Sequence, residues 1–252
     1  MLNKLKFLVC PVCKCHLFKK SRTKLYCKEC SSHYEIRDGI PILLPPNLEE
    51  FKVLEAEYHD KEAHHYGEIN MIDSYHVTHY IDKYLEVVNT LGKDSILLEV
   101  GSGDGNDANL ITNSGINVIQ SDISFEMVNL AKNNKVNSRI IYTVSDAENI
   151  PCKDNSLDAI MIVATLHHLP SPKNFFMEAR RALKPGGLLI IGFEPNSWPY
   201  FIFYPLIRFV KKLVRLDSFV NSKHSGVSIG DSETEGFSYS DFQLFLNQSQ
   251  LE

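Results

Sequence analysis

Two sets of residues in this chain have types and spacings that chemistry could use. The first is a pair of cysteine knuckles, Cys10-Pro-Val-Cys13 and Cys27-Lys-Glu-Cys30, with thirteen residues between them. A two-residue spacer lets both sulfurs of a knuckle reach one ion, and two knuckles complete a tetrahedral thiolate site with no position open to water. Such a site is structural. A module this short buries too little apolar surface to fold alone, and metal binding supplies the missing stability. The expected ion is Zn²⁺, held by Cys10, Cys13, Cys27 and Cys30, with Cys15, His16 and His33 as spare ligands nearby. Cys152 stands apart and reads as a small buried hydrophobe. The second set is the run LLEVGSGDGND at 97–107, where an apolar stretch meets Glu99 and then Gly101, Gly103 and Gly105. Glycine admits a left-handed backbone and lets another group come close to the main chain, so a ligand is expected there.

The elements that must position this loop are legible downstream of Asp94. Strand-length apolar runs at about 96–100, 117–121, 140–144, 159–163 and 188–193 alternate with helical patterns near 106–114, 125–133 and 173–183. This alternation predicts an α/β fold: a doubly wound, mostly parallel sheet with helices on both faces. Ligands of such sheets bind at the carboxyl ends of the strands, by the topological switch point, and the glycine loop closes the first strand. Ser124 is placed to cap the second helix, and LKPGG at 183–187 to stop the third. The loop departs from a dinucleotide fingerprint, because its third glycine comes one residue early and Asn106 takes the place that fingerprint gives to glycine. Asp122 ends the second strand, where its carboxylate can accept from both hydroxyls of a ribose. Asp146-Ala147 follow the third, where a carboxylate can accept from an adenine amino group while a backbone N–H donates to the ring.

Together, LLEVGSGDG, SDIS, SDAENIP, NSLDAIMIVATLHHL and EARRALKPGGLLII, spanning residues 95–195, resemble the successive motifs of class I S-adenosylmethionine-dependent methyltransferases. The nearest likeness is to the subgroup that includes ubiquinone and menaquinone C-methyltransferases. The resemblance implies a Rossmann-like methyltransferase fold and S-adenosylmethionine as cofactor. It implies that Gly101, Ser102, Gly103 and Gly105 lie against the methionine part and ribose, and that Glu99 supports the methionine end. Asp122 with Ile123 would bind the ribose, and Asp146 with Ala147 would frame the adenine. Substrate-facing residues in that family follow the fourth strand, which makes His167 and His168 the candidate general bases; Glu194 faces the same rim. The segment ATLHHLP there has neither the N-P-P-Y-type motif of amino-group methylation nor a cysteine that could attack a pyrimidine.

Upstream, HYEIRDGIPILLPP at 33–46 alternates like a strand, turns at Asp38-Gly39 and ends as an apolar segment closed by prolines. With the knuckles, it resembles a small zinc-ribbon family whose members include an activator subunit of tRNA and protein methyltransferases. The expected organisation is a zinc-ribbon module at 1–46, a helical connector and cofactor lid at 47–93, and the methyltransferase domain at 94–252. In the connector Val77, Ile81, Tyr84, Leu85 and Val88 recur at helical intervals. Its histidines, His59, His64, His65, His76 and His79, show no carboxylate–His order of a known catalytic type and read as surface or lid residues. EAEYHDKEAHHY resembles the segment that closes over the cofactor in many methyltransferases, which implies contact through Tyr58 or Tyr66.

Charge and composition set the remaining expectations. The chain of 252 residues has a net charge of −5, yet residues 1–28 hold eight Lys and Arg and no Asp or Glu. That excess suits an acidic partner such as RNA; it also suits the offset of metal-bound thiolates or a solvated face. No apolar run reaches the roughly 18–20 residues of a membrane span, no signal peptide is visible, and a cytoplasmic protein is expected. Residues 196–230 read as an insertion or lid. Within them 198–216 is aromatic and apolar and then basic, with Arg208, Lys211, Lys212 and Arg215, and suits a pocket lid, a dimer contact or a peripheral membrane contact. The closing stretch EGFSYSDFQLFLNQSQLE resembles the helix before strand six, so strands six and seven are expected to be missing, which exposes an edge to self-association. The favoured function is methyl transfer to a small-molecule acceptor, lipophilic or glycan-linked. RNA methylation with the ribbon docking RNA, and a non-catalytic cofactor-binding scaffold for a partner subunit, are the alternatives.

Overall fold

A computed structural model describes residues 5–63, 81–134, 137–197 and 236–251. The chain opens with an antiparallel meander, β1 (Leu17–Lys19), β2 (Lys24–Cys27), β3 (His33–Arg37) and β4 (Ile40–Leu43). Leu17, Leu25, Cys27, Tyr34 and Ile36 point inward and are buried, as strand alternation requires. Asp38 and Gly39 join β3 to β4 with φ of 49° and 79°. Two left-handed central residues make the tight hairpin turn whose twist matches the flanking strands.

The meander does not form a sheet of its own. β4 pairs in parallel with β7 (Ile140–Ser145), Ile42 opposite Val144 and Leu43 opposite Ser145. Between them in sequence lie α1 (Glu50–Glu62), α2 (Ile81–Val88), β5 (Ile96–Val100), α3 (Asn106–Ile111), β6 (Asn117–Asp122) and α4 (Phe125–Asn134). After β7 come β8 (Leu157–Val163), α5 (Pro172–Ala182), β9 (Leu183–Gly192) and α6 (Tyr239–Ser249). Among the described residues one nine-stranded sheet results, in the order β1-β2-β3-β4-β7-β6-β5-β8-β9. From β4 to β9 every pairing is parallel. The order reverses at β5, which lies between β6 and β8, so the switch point falls on the strand that carries the glycine loop.

The strands are apolar on both faces because both are covered. On one face Phe175, Phe176 and Ala179 of α5 pack with Leu98, Ile119 and Ile160, and the buried ribbon residues join the same core. On the other, Tyr84 and Val88 of α2 and Ile111 of α3 pack with Leu97, Val118 and Met161. Ser124 caps α4, its Oγ accepting from Met127 N–H at 3.1 Å. LKPGG ends α5 as expected but is not a loop: β9 begins at Leu183, and a bulge between the Leu157–Leu183 and Ala159–Leu188 pairs absorbs the extra residues. The helix expected near the end of the chain is α6, started by a Ser238–Asp241 capping box, and Phe245 stacks on Phe176 at 5.2 Å. No helix among the described residues is long and apolar enough to cross a membrane. The expectations for His64, His65, Tyr66, His76, Val77, His79 and the 198–216 segment lie outside the described residues.

Candidate active site and metal centre

At the end of β5 the chain turns through Gly101 and Gly105, with φ of +67° and +78°. Neither tolerates a side chain: a Cβ at Gly101 would run into Thr165, and one at Gly105 into Gln120. Asp122 ties the loop to β6. Its Oδ2 accepts from Gly103 N–H at 3.0 Å and its Oδ1 from Ser124 N–H at 2.9 Å. A carboxylate has about four acceptor sites, so two remain on Asp122. Beside the loop, Glu99 is 5% exposed and accepts from Gln120 Nε2 at 3.3 Å. Burial, then the charge of Asp107, push its carboxyl well above the usual range; Asp104 and Asp122 add to this and the Gln120 hydrogen bond opposes it. Ser102 Oγ and Gln120 Oε1 are buried there without a hydrogen-bond partner. Buried polar atoms are seldom left so unless a ligand or water completes them.

A cleft of about 520 Å³ opens over this end of the sheet. Gly101, Gly103, Asp122 and Ile123 form one wall. Asp146, Ala147, His167 and His168 also line it, whereas Glu99, Ser102 and Gly105 are not on its surface. Asp146 accepts from Glu148 N–H (3.0 Å), Asn149 Nδ2 (2.7 Å) and Lys52 Nζ (2.9 Å), which leaves one acceptor site. Lys52 comes from α1, is 4% exposed, and lies 3.1 Å from Glu148 Oε2 as well. Burial alone would lower its ammonium, but Asp146 and Glu148 outweigh that and raise it.

The far wall is the turn Leu166–His168, just past β8. Glu194, which follows β9, spans it: Oε1 accepts from the Thr165 and Leu166 N–H groups at 2.9 and 2.8 Å, and Oε2 from His167 N–H at 3.2 Å. Its fourth site meets His167 Nδ1 at 2.8 Å. A carboxylate only accepts, so in the neutral ring Nδ1 carries the proton. Ala164 and Phe193, on this rim, hold left-handed backbones with φ of 48° and 57°, a strained conformation for residues with side chains.

α1 lies along the cleft through His59, which the sequence marked as a surface or lid residue, and through others that it did not single out. Lys52, Glu55, His59 and Glu62 line the cleft; Tyr58 does not, and its hydroxyl donates to Glu62 at 2.8 Å. Lys52 carries no motif or spacing that could have marked it, while Glu55 and Glu148 fall inside EAEYHDKEAHHY and SDAENIP without being singled out there. Burial would lower His59, but Glu55 and the charges of Asp122 and Glu62 outweigh it and raise the imidazole to about 9.

In the ribbon, Cys10 and Cys30 sulfurs are 3.5 Å apart and those of Cys13 and Cys27 3.4 Å, with all four within 4.8 Å of one another. Zinc–sulfur bonds of about 2.3 Å place tetrahedral ligands roughly 3.8 Å apart, so the donor set fits the ion. Tyr34 Oη at 3.0 Å from Cys10 Sγ and Ser32 Oγ at 3.2 Å from Cys30 Sγ would orient the sulfurs. Cys15, His16 and His33 stand outside the cluster. Cys152 is fully buried, and burial pushes its thiol up to about 12.

A glycine loop at the switch point, with carboxylates closing the next two strands, defines a class I methyltransferase arrangement. Residues 98–191 match the methyltransferase domain family, and residues 5–39 match the Trm112p-like protein family. It is 32% identical over 101 residues to 27-O-demethylrifamycin SV methyltransferase of Amycolatopsis mediterranei, covering 38% of this chain and 37% of that one. It is 32% identical over 95 residues to demethylmenaquinone methyltransferase of Renibacterium salmoninarum, covering 38% and 39%. The chain thus spans under two-fifths of the length of these relatives. The YcgJ protein of Bacillus subtilis shares the fold, with a TM-score of 0.50, 22% identity, and 69% and 68% of the two chains covered.

Proposed function

We propose that this chain transfers a methyl group from S-adenosylmethionine to a hydroxyl-bearing small molecule. The observation that carries the reading is the acceptor count on the cleft wall. Asp122 keeps two acceptor sites, the number two ribose hydroxyls need, and Asp146 keeps one for an adenine amino group. The orphaned Ser102 and Gln120 oxygens are suited to the ammonium end of the same molecule, with Glu99 beside them.

When bound, the cofactor supplies a methyl group already activated by a sulfonium. The protein must align an acceptor and exclude water. Lys52 and Glu55 bring α1 across the cleft and so contribute to that exclusion. A hydroxyl loses its proton on methylation, and His167, on the cleft wall and oriented by Glu194, is the candidate to take it. His168 is the neighbouring ring, at 4.1 Å. The rifamycin and menaquinone methyltransferases among its relatives favour a lipophilic acceptor over a glycan.

Calorimetry on the zinc-loaded chain tests the first half: S-adenosylmethionine and its demethylated product should bind, NAD(H) should not, and D122N should weaken both by tenfold or more. In an assay of demethylated cofactor released with a panel of phenols, hydroxyquinones and alcohols, H167A should lose roughly 10²–10⁴-fold in turnover with cofactor affinity unchanged. Cofactor binding without turnover, together with a stable partner protein, would favour the scaffold reading that the Trm112p-like module suggests.

One feature favours RNA as a second acceptor class. His16, Phe18, Tyr26 and His33 form a row of rings across the outer face of β1–β3, at centroid spacings of 4.8, 5.7 and 6.4 Å, and Lys28 lies over Phe18 at 4.2 Å. Aromatic rings on a basic sheet face are a platform for stacking single-stranded bases. Salt-sensitive binding of single-stranded RNA, lost in F18A/Y26A, would support it.

A further inference from the structure

We propose that Glu55, His59 and His168 form a second divalent-cation site, separate from the four cysteines, on the wall of the cleft. Glu55 and His59 are one helical turn apart on α1 and so project from one face. His168 arrives from the opposite wall, on the turn after β8. Glu55 Oε2 is 3.0 Å from His168 Nδ1 and 3.6 Å from His59 Nε2, and the three ligand atoms lie within 4.8 Å of one another. Imidazole nitrogen and carboxylate oxygen bind such ions at about 2.0–2.2 Å, which sets neighbouring ligand atoms roughly 3.0–3.6 Å apart.

The surroundings are those of a built site. Glu55 is 3% exposed, a depth at which a carboxylate is paired or coordinates a metal. Glu62 Oε2 lies 3.1 Å from His59 Nδ1, so the carboxylate fixes the ring and turns Nε2 toward Glu55. Metal-bound histidines are oriented in this way. Two imidazoles and one carboxylate select a transition-type ion such as Zn²⁺, Mn²⁺, Co²⁺ or Fe²⁺ over Mg²⁺ or Ca²⁺. Three protein ligands leave positions open, and all three residues line the cleft, so those positions face the cavity. An oxygen of a bound molecule can complete the ion beside His167. The cation site itself does not depend on the methyl-transfer reading.

The test uses the full chain with its ribbon zinc in place, titrated with Co²⁺ at neutral pH. The expected result is one further Co²⁺ per chain, with the weak visible bands of nitrogen and oxygen ligands and none of the intense thiolate charge transfer a cysteine site would give. E55Q and H168N should each weaken it by tenfold or more while ribbon zinc stays at one per chain and the melting temperature shows the fold intact. E57Q, at an exposed carboxylate of the same helix outside the cluster, should bind as the wild type does. Wild-type protein that takes up no second ion overturns the proposal, as does a second ion held equally well by E55Q and H168N. In either case Glu55 is a hydrogen-bond bridge between two histidines and nothing more.

Discussion

Replacing Lys52 with methionine keeps the length of the side chain and removes its charge from a place where two carboxylates depend on it. Lys52 Nζ stands 2.9 Å from Asp146 and 3.1 Å from Glu148, and all three side chains are 5% exposed or less. At an effective dielectric near 20, each contact is worth about 5 kcal/mol before desolvation is counted. Desolvation takes back several kcal/mol per ion, but in K52M the two carboxylates stay buried without their cation. Removing one partner of a buried pair costs about 3–5 kcal/mol. For a chain of this size each kcal/mol shifts the melting temperature by about 2–4 °C, so K52M should melt roughly 6–20 °C lower. The assay is thermal denaturation of the zinc-loaded protein followed by circular dichroism. K52M/D146N/E148Q, with the stranded charges neutralised, should recover at least half the loss. A shift within about 2 °C would place Lys52 among surface ion pairs and refute the reading of α1 as a lid held by charge. A full loss with no recovery in the triple variant would assign the effect to packing.

Three further outcomes follow from burial, charge and metal binding. The folded pKa of Glu99 lies well above its ordinary 4.5, so its contribution to stability is complete below that pH and is lost as pH rises through the folded value. E99Q, always neutral, should match the wild type near pH 4 and melt higher than it from neutral to alkaline pH; equal melting throughout would mean that Glu99 is not held protonated. Binding of a cationic cofactor beside Glu99 should also release a proton, visible as buffer-dependent heats of binding in the wild type and absent in E99Q. Chelating the ribbon metal should lower both the melting temperature and the affinity for S-adenosylmethionine, and one equivalent of Zn²⁺ should restore both; an unchanged affinity in the stripped protein would uncouple the ribbon from the cleft.

The parallel strands were legible because burial on both faces writes them as unbroken apolar runs, and each expected strand overlaps an observed one. β9 starts five residues earlier than its apolar run suggests, at Leu183 rather than 188, because Pro and Gly that usually end an element here sit in a bulge. The glycine loop, Asp122 and Asp146 were legible because a backbone turn at a switch point limits which residue types can serve. α1 was harder to read. Its buried positions include Lys52 and Glu55, so the face it presents to the protein is charged, and hydrophobic periodicity cannot report such a face. The union of Glu55 and His59 with His168 is likewise invisible in sequence: spacing reveals the first two, and only the crossing of α1 over the turn after β8 supplies the third. The junction of β4 with β7 left no sign because a short apolar segment does not name its partner strand.

That junction gives the ribbon a mechanical bearing on the cleft. A parallel sheet ending at β7 would leave a row of unpaired backbone groups at its edge, and β4 covers them. Leu43 pairs with Ser145, the residue before Asp146, so the ribbon's last strand braces the backbone from which the Asp146 carboxylate projects. From β4 the chain runs through Pro45 and Pro46 directly into α1, whose Lys52 returns to that same carboxylate. Asp146 is therefore held from both sides by the segment that follows the cysteine knuckles. A module too small to fold without its ion makes such a brace conditional. On that reading, metal would fix β4 and α1 at both ends, and its loss would take the anchor from the edge of β7 and from α1 together. Four thiolates that hold an ion would do no chemistry on a substrate, yet under the proposed function that ion would decide whether Asp146, the carboxylate proposed for the adenine, is in place.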